Sequence, residues 1–564
     1  MFAAAALGAF ALLRLALWRP LVVKGDEPAD GYTRVAGVVH VHTTLSDGGG
    51  TPDEVVAAAQ RAGLGFLAIT DHNNLEAKPV EGYHGGVLVL VGSELSTTAG
   101  HLLGLGIRDP VYRFSGGARD GLEDIRDLGG AAFAAHPTSP RDDFRWTGWD
   151  LPGPWGLELL NGDSEWRRAS WGRLARLGGL YLLNRRYALL SGLTAPTEAL
   201  GRWDGLLARR DVAGIVGADA HSRAPLTRNR AVRFPSYEAL FALARNHVVL
   251  PAPLSGDAAK DGLAIVEALS NGRTYVGLDA LAPADAISFT AESEGRHWTM
   301  GETVPAGPEV RLRAGGRMPA GTRLLLLRDG QRLLESAPPL TAKVPGPGVY
   351  RIEARVPGWE VPWVITNPIY VFDRVEQGAR LQRASWPAPD AVPPTALLLD
   401  DFDGKTLFEP GHDPSSRLVD PLLDPRGGLG GCGAARLRFR LATPTAKQPY
   451  PFVAMIERGA RDLSDYRGLV FSVRADGVYR FWVQVRDENK ASLDEGTEWW
   501  FASVRSSSEW QRVAVPFTSL RSINPNTDRR LDLDKVRAIV FVLDRGAARG
   551  GQEGTIWIDN MGLY

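Results

Sequence analysis

The sequence contains a single cysteine, Cys432, among its 564 residues. One thiol cannot form an internal disulfide or supply a thiolate metal cluster, so both are excluded. An excess of either charge is also missing, since 64 basic and 65 acidic side chains leave a net charge of -1. The sequence therefore gives no global electrostatic signal for binding to nucleic acid or to an acidic membrane surface.

The apolar run at the start of the sequence, Met1–Leu13, is shorter than the about 20 residues that a membrane-spanning helix needs. It also lacks the basic start of a signal peptide, and the basic residues Arg14, Arg19 and Lys24 follow it. We interpret residues 1–28 as a signal peptide or a membrane anchor. Either would place the protein in the cell envelope, and a cytoplasmic protein is the alternative.

At 564 residues the chain exceeds the roughly 250–300 at which one hydrophobic core stops growing, so several domains are expected. From residue 29 to about 280, short apolar runs alternate with helical segments, as in βα units around parallel strands. One predicted helix, Pro52–Ala62, begins with Thr51 and Glu54 spaced as in a capping box. The candidate strands are Ala36–Val41, Gly65–Ile69, Val87–Val91, Leu102–Leu105, Ala131–Ala135, Gly156–Leu160 and Ala213–Val216. Seven such runs favour an α/β barrel over an open sheet.

After Gly277 the apolar residues recur with a period of two, which is typical of strands. Asp329-Gly330 lies between two strand-like runs and predicts a hairpin. We expect a small Ig-like β-sandwich over residues 281–375 and a Pro-rich linker over residues 376–394. Residues 395–564 are predicted to form a second, jelly-roll-like sandwich.

Histidines are concentrated in the predicted barrel, where seven of the ten lie between residues 40 and 221. His40 and His42 are alternate residues of one strand, so their imidazoles face the same side. The carboxyl ends of barrel strands meet at one rim, where active sites are assembled. Nine candidate metal ligands occur at or near such strand ends: His40, His42, Asp47, His72, Glu94, His101, His136, Asp219 and His221.

Imidazole and carboxylate ligands without thiolate suit Zn²⁺, Mn²⁺ or Fe²⁺. Nine ligands exceed what one ion needs, so two or three divalent ions are expected. Two ions about 3.5–4 Å apart can hold a bridging hydroxide and clamp both oxygens of a displacement, which predicts hydrolysis. Each element has a simpler reading when taken alone, because two strand histidines can face solvent and Asp47 can be a turn residue.

The ordered set of motifs resembles the polymerase and histidinol phosphatase (PHP) superfamily. Residues 37–73, GVVHVHTTLSDGG…LAITDHN, resemble its first two motifs, and GSE, GHLLGLG, AAHP and GADAHS resemble later ones. The resemblance covers roughly residues 36–276 and implies a distorted seven-stranded βα barrel. Ala264–Val276 and the ELLNGD of Glu158–Asp163 further resemble the carbaryl-hydrolase-like branch.

The resemblance also implies how the ligands are shared among the ions. One ion would be held by His40, His42, Glu94 and Asp219, a second by Glu94, His101 and His136, and a third by Asp47, His72 and His221. The residue type at the position of Asp47 varies within the family. A metal-bridging hydroxide would attack phosphorus or a carbonyl carbon. Asp219 or a neighbouring imidazole such as His101 would carry the proton to the leaving group.

Three more polar residues lie beside the predicted ligands. Asp71 precedes His72 and is expected to orient its surroundings rather than bind an ion. Asn161 and Asp163 follow a predicted strand and are candidate substrate contacts. The remaining histidines match no motif and are interpreted as surface loop residues: His84, His247, His297 and His412.

The C-terminal region contains no comparable cluster of ligands. Asp400–Gly404 and Ile556–Asn560 resemble the bracketing strands of carbohydrate-binding jelly rolls and galactose-binding-like domains. Trp499, Trp500 and Trp510 could stack on sugar rings, with core packing as the alternative. A glycan is therefore a candidate partner of this region.

Four functions are consistent with these patterns. The first is a metal-dependent phosphoesterase acting on a small phosphoester, and the second is an ester, amide or carbamate hydrolase that uses the same ions. The third is a surface glycan-binding protein in which the barrel serves as a scaffold. An exonuclease is a weaker option, because the sequence has no basic run interleaved with aromatic residues.

Overall fold

The computed structural model describes residues 10, 12–108, 114, 116–227, 230–387, 391–419, 422–492, 496–522 and 527–564. The chain forms two compact units, one of residues 1–108 and 121–387, the other of residues 109–120 and 388–564. Among the described residues, no helix has the length and apolarity needed to cross a membrane. Most of the apolar run Met1–Leu13 lies outside the described residues.

The first unit contains helices, barrel strands and a second group of strands. Its helices are α1 (Pro52–Arg61), α2 (Ala118–Asp127, whose first residues fall in the other unit), α3 (Gly162–Arg167), α4 (Trp171–Leu183), α5 (Arg185–Ser191), α6 (Thr197–Leu207), α7 (Tyr237–Phe241), α8 (Ala258–Ser270) and α9 (Arg374–Ala384). Its strands up to the end of the predicted barrel are β1 (Val23–Lys24), β2 (Thr33–Val41), β3 (Phe66–Ile69), β4 (Gly82–His84), β5 (Val87–Val91), β6 (Ser93–Thr97), β7 (Gly100–Leu105), β8 (Ala131–Ala134), β9 (Gly156–Asn161), β10 (Gly214–Ala220), β11 (Ala224–Thr227), β12 (Arg230–Val232), β13 (Arg245–Leu250) and β14 (Thr274–Gly277).

Apart from β1, which pairs with β19, and β11 and β12, which pair with each other, these strands belong to the predicted closed barrel. Strand β2 pairs in parallel with β3 and β10, and β9 pairs in parallel with both β8 and β10. A buried apolar cluster that includes Val39, Phe66, Leu88 and Ile215 packs under the helix α8. The capping box of α1 is also present, because Thr51 Oγ1 accepts the Glu54 N–H at 3.3 Å and Glu54 accepts the Thr51 N–H at 2.9 Å.

One part of the barrel departs from a simple βα series. Strand β7 runs antiparallel to β6 and to β8. Only Thr98 and Ala99 connect β6 to β7, and so short a connection allows a hairpin but no crossover. The fourth predicted strand is therefore present, with the opposite direction.

A second group of strands continues the first unit. They are β15 (Ile287–Ser293), β16 (Arg296–Thr299), β17 (Thr303–Pro305), β18 (Arg311–Gly316), β19 (Met318–Pro319), β20 (Arg323–Arg328), β21 (Gln331–Ser336), β22 (Leu340–Lys343), β23 (Gly348–Arg355), β24 (Val364–Thr366) and β25 (Ile369–Phe372). Strands β15, β16, β18 and β22 form a separate antiparallel sheet. The predicted hairpin is confirmed, since β20 and β21 pair around Asp329 and Gly330, whose φ angles are 52° and 76°.

The rest of this second group joins the barrel sheet directly. Strand β24 pairs antiparallel with β14, with Tyr275 opposite Thr366. Asn367, which follows β24, accepts the Gly214 N–H at 2.8 Å and donates to the Gly214 carbonyl at 2.7 Å. Gly214 is the first residue of β10. The second group of strands therefore contributes, through Asn367, hydrogen bonds to a strand of the barrel.

The second unit is a β-sandwich. Its strands are β26 (Leu397–Asp400), β27 (Phe408–His412), β28 (Arg417–Leu418), β29 (Leu423–Asp424), β30 (Ala434–Arg440), β31 (Phe452–Arg461), β32 (Gly468–Ala475), β33 (Arg480–Glu488), β34 (Thr497–Arg505), β35 (Gln511–Pro516), β36 (Arg521–Ser522), β37 (Val536–Asp544) and β38 (Glu553–Leu563). One sheet has the order β28-β30-β38-β32-β35 and the other β27-β31-β37-β33-β34-β36. Their inner faces share one apolar core, so the predicted sandwich is confirmed.

The interpretation of His247 as a surface residue is wrong. It lies in β13 and is completely buried. Its Nε2 is 2.9 Å from Asp279 Oδ2, and its ring stacks on Tyr275 at 4.9 Å. Because the ring has these partners inside the protein, it serves packing rather than solvent contact. His84 also lies in a strand, β4, where its Nε2 is 2.9 Å from the Val80 carbonyl oxygen.

Candidate metal centre

The structure brings all nine predicted ligands together at the rim of the barrel. The potential ligand atoms fall into four overlapping groups, and within each group these atoms lie within 4.8 Å of one another. The groups are His42, Asp47, His72 and His221; His40, His42 and Glu94; His40, His136 and Asp219; and His72, Glu94 and His101. Side chains separated by up to about 180 positions therefore face a common space.

Glu94 is the centre of this arrangement, and it is buried to 1% exposure. Its Oε1 lies 2.7 Å from His101 Nδ1 and 2.8 Å from His136 Nε2. Its Oε2 lies 3.1 Å from His40 Nε2, 3.0 Å from His42 Nε2 and 3.4 Å from His72 Nδ1. A carboxylate with different imidazoles on its two oxygens has the placement needed to bridge two ions.

Two further carboxylates complete the cluster. Asp219 Oδ1 lies 3.3 Å from His40 Nε2 and 3.4 Å from His221 Nδ1. Asp47 Oδ1 lies 3.2 Å from His221 Nε2 and 3.8 Å from His72 Nε2. Asp219 is buried, whereas the Asp47 side chain is 49% exposed. Asp47 thus stands at the open edge of the site.

Glu158 is a buried carboxylate of this site to which the sequence pattern assigned no role. Its Oε1 is 2.7 Å from His40 Nδ1, and its Oε2 accepts the His136 N–H at 2.7 Å. It therefore holds one predicted ligand by the ring and another by the backbone, as partners behind metal-binding histidines commonly do. A Cβ on Gly217 would lie 1.7 Å from Glu158 Oε1, so only glycine fits there. A charged residue within the wholly buried strand β9 is the signal that could have found it.

Asp71 is also fixed behind the ligands. It accepts the Thr43 N–H at 2.8 Å, the Thr43 hydroxyl at 2.7 Å and the Ser46 hydroxyl at 2.5 Å. These bonds hold the loop that carries Asp47. These contacts of Asp71 fall on the loop of Asp47, and its orienting role stays a prediction.

The two candidate substrate residues have different surroundings. Asn161 caps α3 by accepting the Ser164 N–H at 2.9 Å, and it donates to Glu158 Oε2 at 2.8 Å. Both polar ends of its side chain are thus engaged within the protein. Asp163 forms an ion pair with Arg167, and burial and the charge of Asp219 raise its pKa. Asp163 and Arg167 therefore lie beside the cluster.

Charge pairing offsets burial within the cluster. Burial alone would raise the pKa of Glu94, but the neighbouring imidazoles, His40 first, hold it well below its usual value. Burial alone would lower the pKa of His40, but Asp219, Glu158 and Glu94 hold it well above its usual value. These two shifts favour the charged carboxylate at Glu94 and the protonated imidazole at His40.

The backbone at three ligands is left-handed. The φ angles are 64° at His40, 30° at His136 and 47° at Asp219. This region costs energy for residues other than glycine, and such residues concentrate at functional sites. The turn at each strand end aims its side chain into the shared space.

The unpaired nitrogen atoms of the site fit divalent ions. His40 Nε2, His42 Nε2 and His72 Nδ1 are buried atoms that lie near Glu94 Oε2 without the alignment of a hydrogen bond in the described structure. Such a loss of hydrogen bonds is costly unless another partner binds the atom. Imidazole nitrogens and carboxylate oxygens at this spacing are the ligand set of Zn²⁺, Mn²⁺ or Fe²⁺.

Comparison with known proteins places this domain in a family. The model of the PHP domain matches residues 39–111, which include six of the nine ligands, His40, His42, Asp47, His72, Glu94 and His101. An uncharacterised protein from Methanocaldococcus jannaschii is 32% identical over 117 residues, which cover 18% of this chain and 67% of that protein. An error-prone DNA polymerase from Nocardia farcinica is 30% identical over 158 residues, 27% of this chain but only 13% of the polymerase. Through its N-terminal domain the chain belongs to the PHP domain proteins, while the carbaryl-hydrolase-like branch stays a prediction.

Other similarities extend over the rest of the chain. The model of complex I intermediate-associated protein 30 (CIA30) matches residues 448–559. A two-domain protein from Bacteroides vulgatus, described as containing a predicted PHP-like metal-dependent phosphoesterase, is 18% identical with a TM-score of 0.31. That similarity covers 62% of this chain and 99% of the other. A family 11 carbohydrate-binding module from Clostridium thermocellum is 19% identical with a TM-score of 0.25, over 30% of this chain and 94% of the module.

Proposed function

We propose that the protein is a metal-dependent phosphoesterase whose centre binds two or three divalent ions at the rim of the PHP domain. The observation that carries the proposal is the placement of Glu94, which has the imidazoles of His101 and His136 on one oxygen and those of His40 and His42 on the other. Adjacent sites that share a carboxylate suit the in-line displacement of an ester.

Cationic side chains around the centre favour an anionic substrate. Asp163, Asp219 and Asp47 raise the pKa of Arg167 against the effect of burial, so this arginine is charged next to the cluster. Arg223 donates to the Asp47 carbonyl oxygen at 3.3 Å. Arginine matches the oxygens of a phosphate in charge and geometry, whereas a neutral carbamate would gain little from it.

The chain's own residues would divide the work of hydrolysis. When bound, the ions supply Lewis acidity and lower the pKa of a coordinated water. Glu158 holds His40 through its Nδ1, which leaves Nε2 directed at the centre. Asp219 lies at the centre within 3.3 Å of His40 Nε2 and is a candidate to accept or return a proton, with His101 as the alternative.

A carbamate or aromatic ester hydrolase on the same centre is the second candidate. The ring of Phe144 lies 4.7 Å from the His101 ring and 5.6 Å from the His136 ring. It gives the rim an apolar surface on which an aromatic leaving group could pack. Arg141, whose guanidinium lies 3.8 Å from the Phe144 ring centre, gives the same surface a positive charge.

A substrate panel separates the two candidates. The full-length protein, loaded in turn with Mn²⁺, Zn²⁺ or Fe²⁺, would be assayed with p-nitrophenyl phosphate, bis-p-nitrophenyl phosphate and a naphthyl carbamate. We expect turnover of a phosphoester, and we expect Arg167→Ala to raise KM without removing bound metal. Turnover confined to the carbamate would favour the second candidate. Turnover of all three substrates that His42→Ala leaves unchanged would overturn both.

A further inference from the structure

The outer face of one sheet of the C-terminal sandwich is rich in arginine. Strand β30 alternates between core residues, such as Leu437 and Phe439, and arginines that point away from the core. Strands β28 and β32 add to the same face, because Arg417 lies opposite Arg440 and Arg474 lies in the row of Arg436. We name this surface the arginine face; its arginines are Arg417, Arg436, Arg438, Arg440 and Arg474.

A tryptophan lies in the middle of the arginine face. Trp557 of β38 is opposite Arg436 on one side and Arg474 on the other. The guanidinium of Arg474 lies 4.1 Å from the Trp557 ring centre and 5.3 Å from that of Trp510. These cation–π contacts hold planar groups against the sheet at low conformational cost. Trp510, one of the predicted sugar-stacking residues, thus lies next to this face, whereas Trp500 is buried against Asp487.

Carboxylates are interspersed among the arginines. Glu553 forms an ion pair with Arg440 at 3.0 Å, and Asp424 accepts the Trp557 indole N–H at 3.1 Å. These acids accept hydrogen bonds from hydroxyl groups, which each ring of a polysaccharide carries and single-stranded DNA lacks along its chain. Alternating donors and acceptors suit a ligand that carries both hydroxyl groups and negative charges.

The face also encloses a groove large enough for a short oligosaccharide. The groove has a volume of about 530 Å³. It is lined by four of the arginines, the two acids Asp476 and Glu553, Thr555 and Trp557. Its volume, its indole and its excess of guanidinium groups thus occur at one place.

We infer that the arginine face binds an acidic polysaccharide, a chain of sugars that carries carboxylate groups. Arginine forms paired hydrogen bonds with carboxylates, and the indole and acids are suited to sugar rings and hydroxyls. This site lies on the β-sandwich, outside the metal centre, and the inference does not depend on the proposed hydrolysis.

The test is binding of the full-length protein to polygalacturonate, measured by retardation in affinity gels and by calorimetry. A neutral mixed-linkage β-glucan and single-stranded DNA are the comparison ligands. We expect polygalacturonate to bind most strongly and to bind more weakly as sodium chloride is raised. Equal affinity for the neutral glucan, tighter binding of DNA, or no binding of polygalacturonate would each overturn the inference.

Two arginines of the same domain provide a matched pair of variants. Arg440 and Arg458 are exposed strand residues, and each has one exposed glutamate partner, at 3.0 Å and 3.6 Å respectively. Arg458 lies on the other sheet, in β31. We expect Arg440→Ala, and more so Arg438→Ala with Arg440→Ala, to weaken polygalacturonate binding by about five- to tenfold.

Arg458→Ala should leave polygalacturonate binding unchanged. Equal losses for Arg440→Ala and Arg458→Ala would show that charge alone matters and would overturn the assigned site. Hydrolysis of p-nitrophenyl phosphate, measured on the same samples, reports on the first unit and its proposed metal centre, and urea unfolding reports on the β-sandwich. A loss of polygalacturonate binding with hydrolysis and unfolding both unchanged therefore concerns the arginine face alone.

Discussion

The buried polar groups of the metal centre differ from a buried carboxylate of the β-sandwich in how they are satisfied. In the PHP domain, the rings of His40, His42 and His72 each have one buried nitrogen that faces Glu94 without the alignment of a hydrogen bond. In the β-sandwich, the buried carboxylate of Asp487 accepts the Trp500 indole N–H at 3.0 Å and the Asp532 N–H at 2.6 Å. Buried groups that the protein satisfies itself support the fold, whereas imidazole nitrogens and carboxylate oxygens left open at close spacing are suited to bind an ion.

The largest effect is expected from replacing Glu94, the carboxylate that the imidazoles of the centre share. Glu94→Gln removes the charge that faces five imidazoles, so we expect loss of at least one bound ion. Phosphoester turnover should fall by about 1,000-fold, or about 4 kcal/mol of transition-state stabilisation. Metal content by mass spectrometry and kcat with p-nitrophenyl phosphate are the measurements.

Asp261→Asn is the matched control for Glu94→Gln. Asp261 is a buried carboxylate of the same unit, and its partners include the backbone N–H groups of Ser255 and Gly256. We expect this variant to unfold at lower temperature but to keep its ions. If it lost as much metal as Glu94→Gln, the contrast between open and satisfied charges would fail.

A smaller effect is expected from changing Glu158, which holds the ligands His40 and His136 in place. Glu158→Gln weakens the hold on His40 and should lower metal affinity by about 10- to 100-fold. Gly217→Ala should have a similar effect with Glu158 still present, because its new Cβ would occupy the position of Glu158 Oε1. Metal titrations of both variants test this, and normal affinity in Gly217→Ala would show that Glu158 is not needed where it lies.

Among the ligands, Asp47 at the exposed edge of the centre should tolerate substitution best. Asp47 is half exposed and faces His221 and His72, so Asp47→Asn should release one ion and leave the others in place. We expect turnover to fall by about tenfold. Stoichiometric metal analysis distinguishes this from collapse of the site, since complete metal loss would mean that the ions bind only together.

The hydrogen-bonded carboxylates of the β-sandwich should make the stability of the fold depend on pH and not on metal. Burial raises the pKa of Asp487 to about 6, from 3.8 when unfolded. A group with a raised folded pKa stabilises the protein at pH values below its unfolded pKa, and this contribution is lost as the pH rises through about 6. We expect Asp487 to contribute about 2 kcal/mol more at pH 4 than at pH 7.

Urea unfolding of the full-length protein at several pH values measures this slope, and Asp487→Asn should flatten it. Asp413 provides the opposite case. Burial would raise its pKa, but bonds to Ser416 and to backbone N–H groups lower it, so its contribution is lost as the pH falls. Equal slopes for Asp487→Asn and Asp413→Asn would contradict the assignment.

Much of the centre could be predicted because its signals are local. Every ligand except His101, which begins a strand, ends or follows a short apolar run, and strand ends meet at the rim of a barrel. The role of Glu158 could not be predicted in this way, because its partner His40 lies 118 positions away. The sequence shows that Glu158 is a charged residue within an apolar strand, but it does not show which residues its carboxylate contacts.

The fold was also predictable to the extent that it depends on local patterns. Alternating apolar residues indicated the strands of both sandwich regions, and Asp329-Gly330 indicated a hairpin. The direction of β7 depends on the length of one turn, which an apolar pattern does not show. The pairing of β14 with β24 joins residues about 90 positions apart, so only tertiary structure reveals it.

The hydrogen bonds between Asn367 and Gly214 determine where the chain can be cut to prepare the PHP domain without the β-sandwich. A fragment that stops near residue 280 would lose the amide that anchors the strand bearing Asp219, and it would uncover the edge of β14. Bare strand edges promote aggregation. The smallest fragment expected to remain soluble with its chemistry intact extends past β25, to about residue 387.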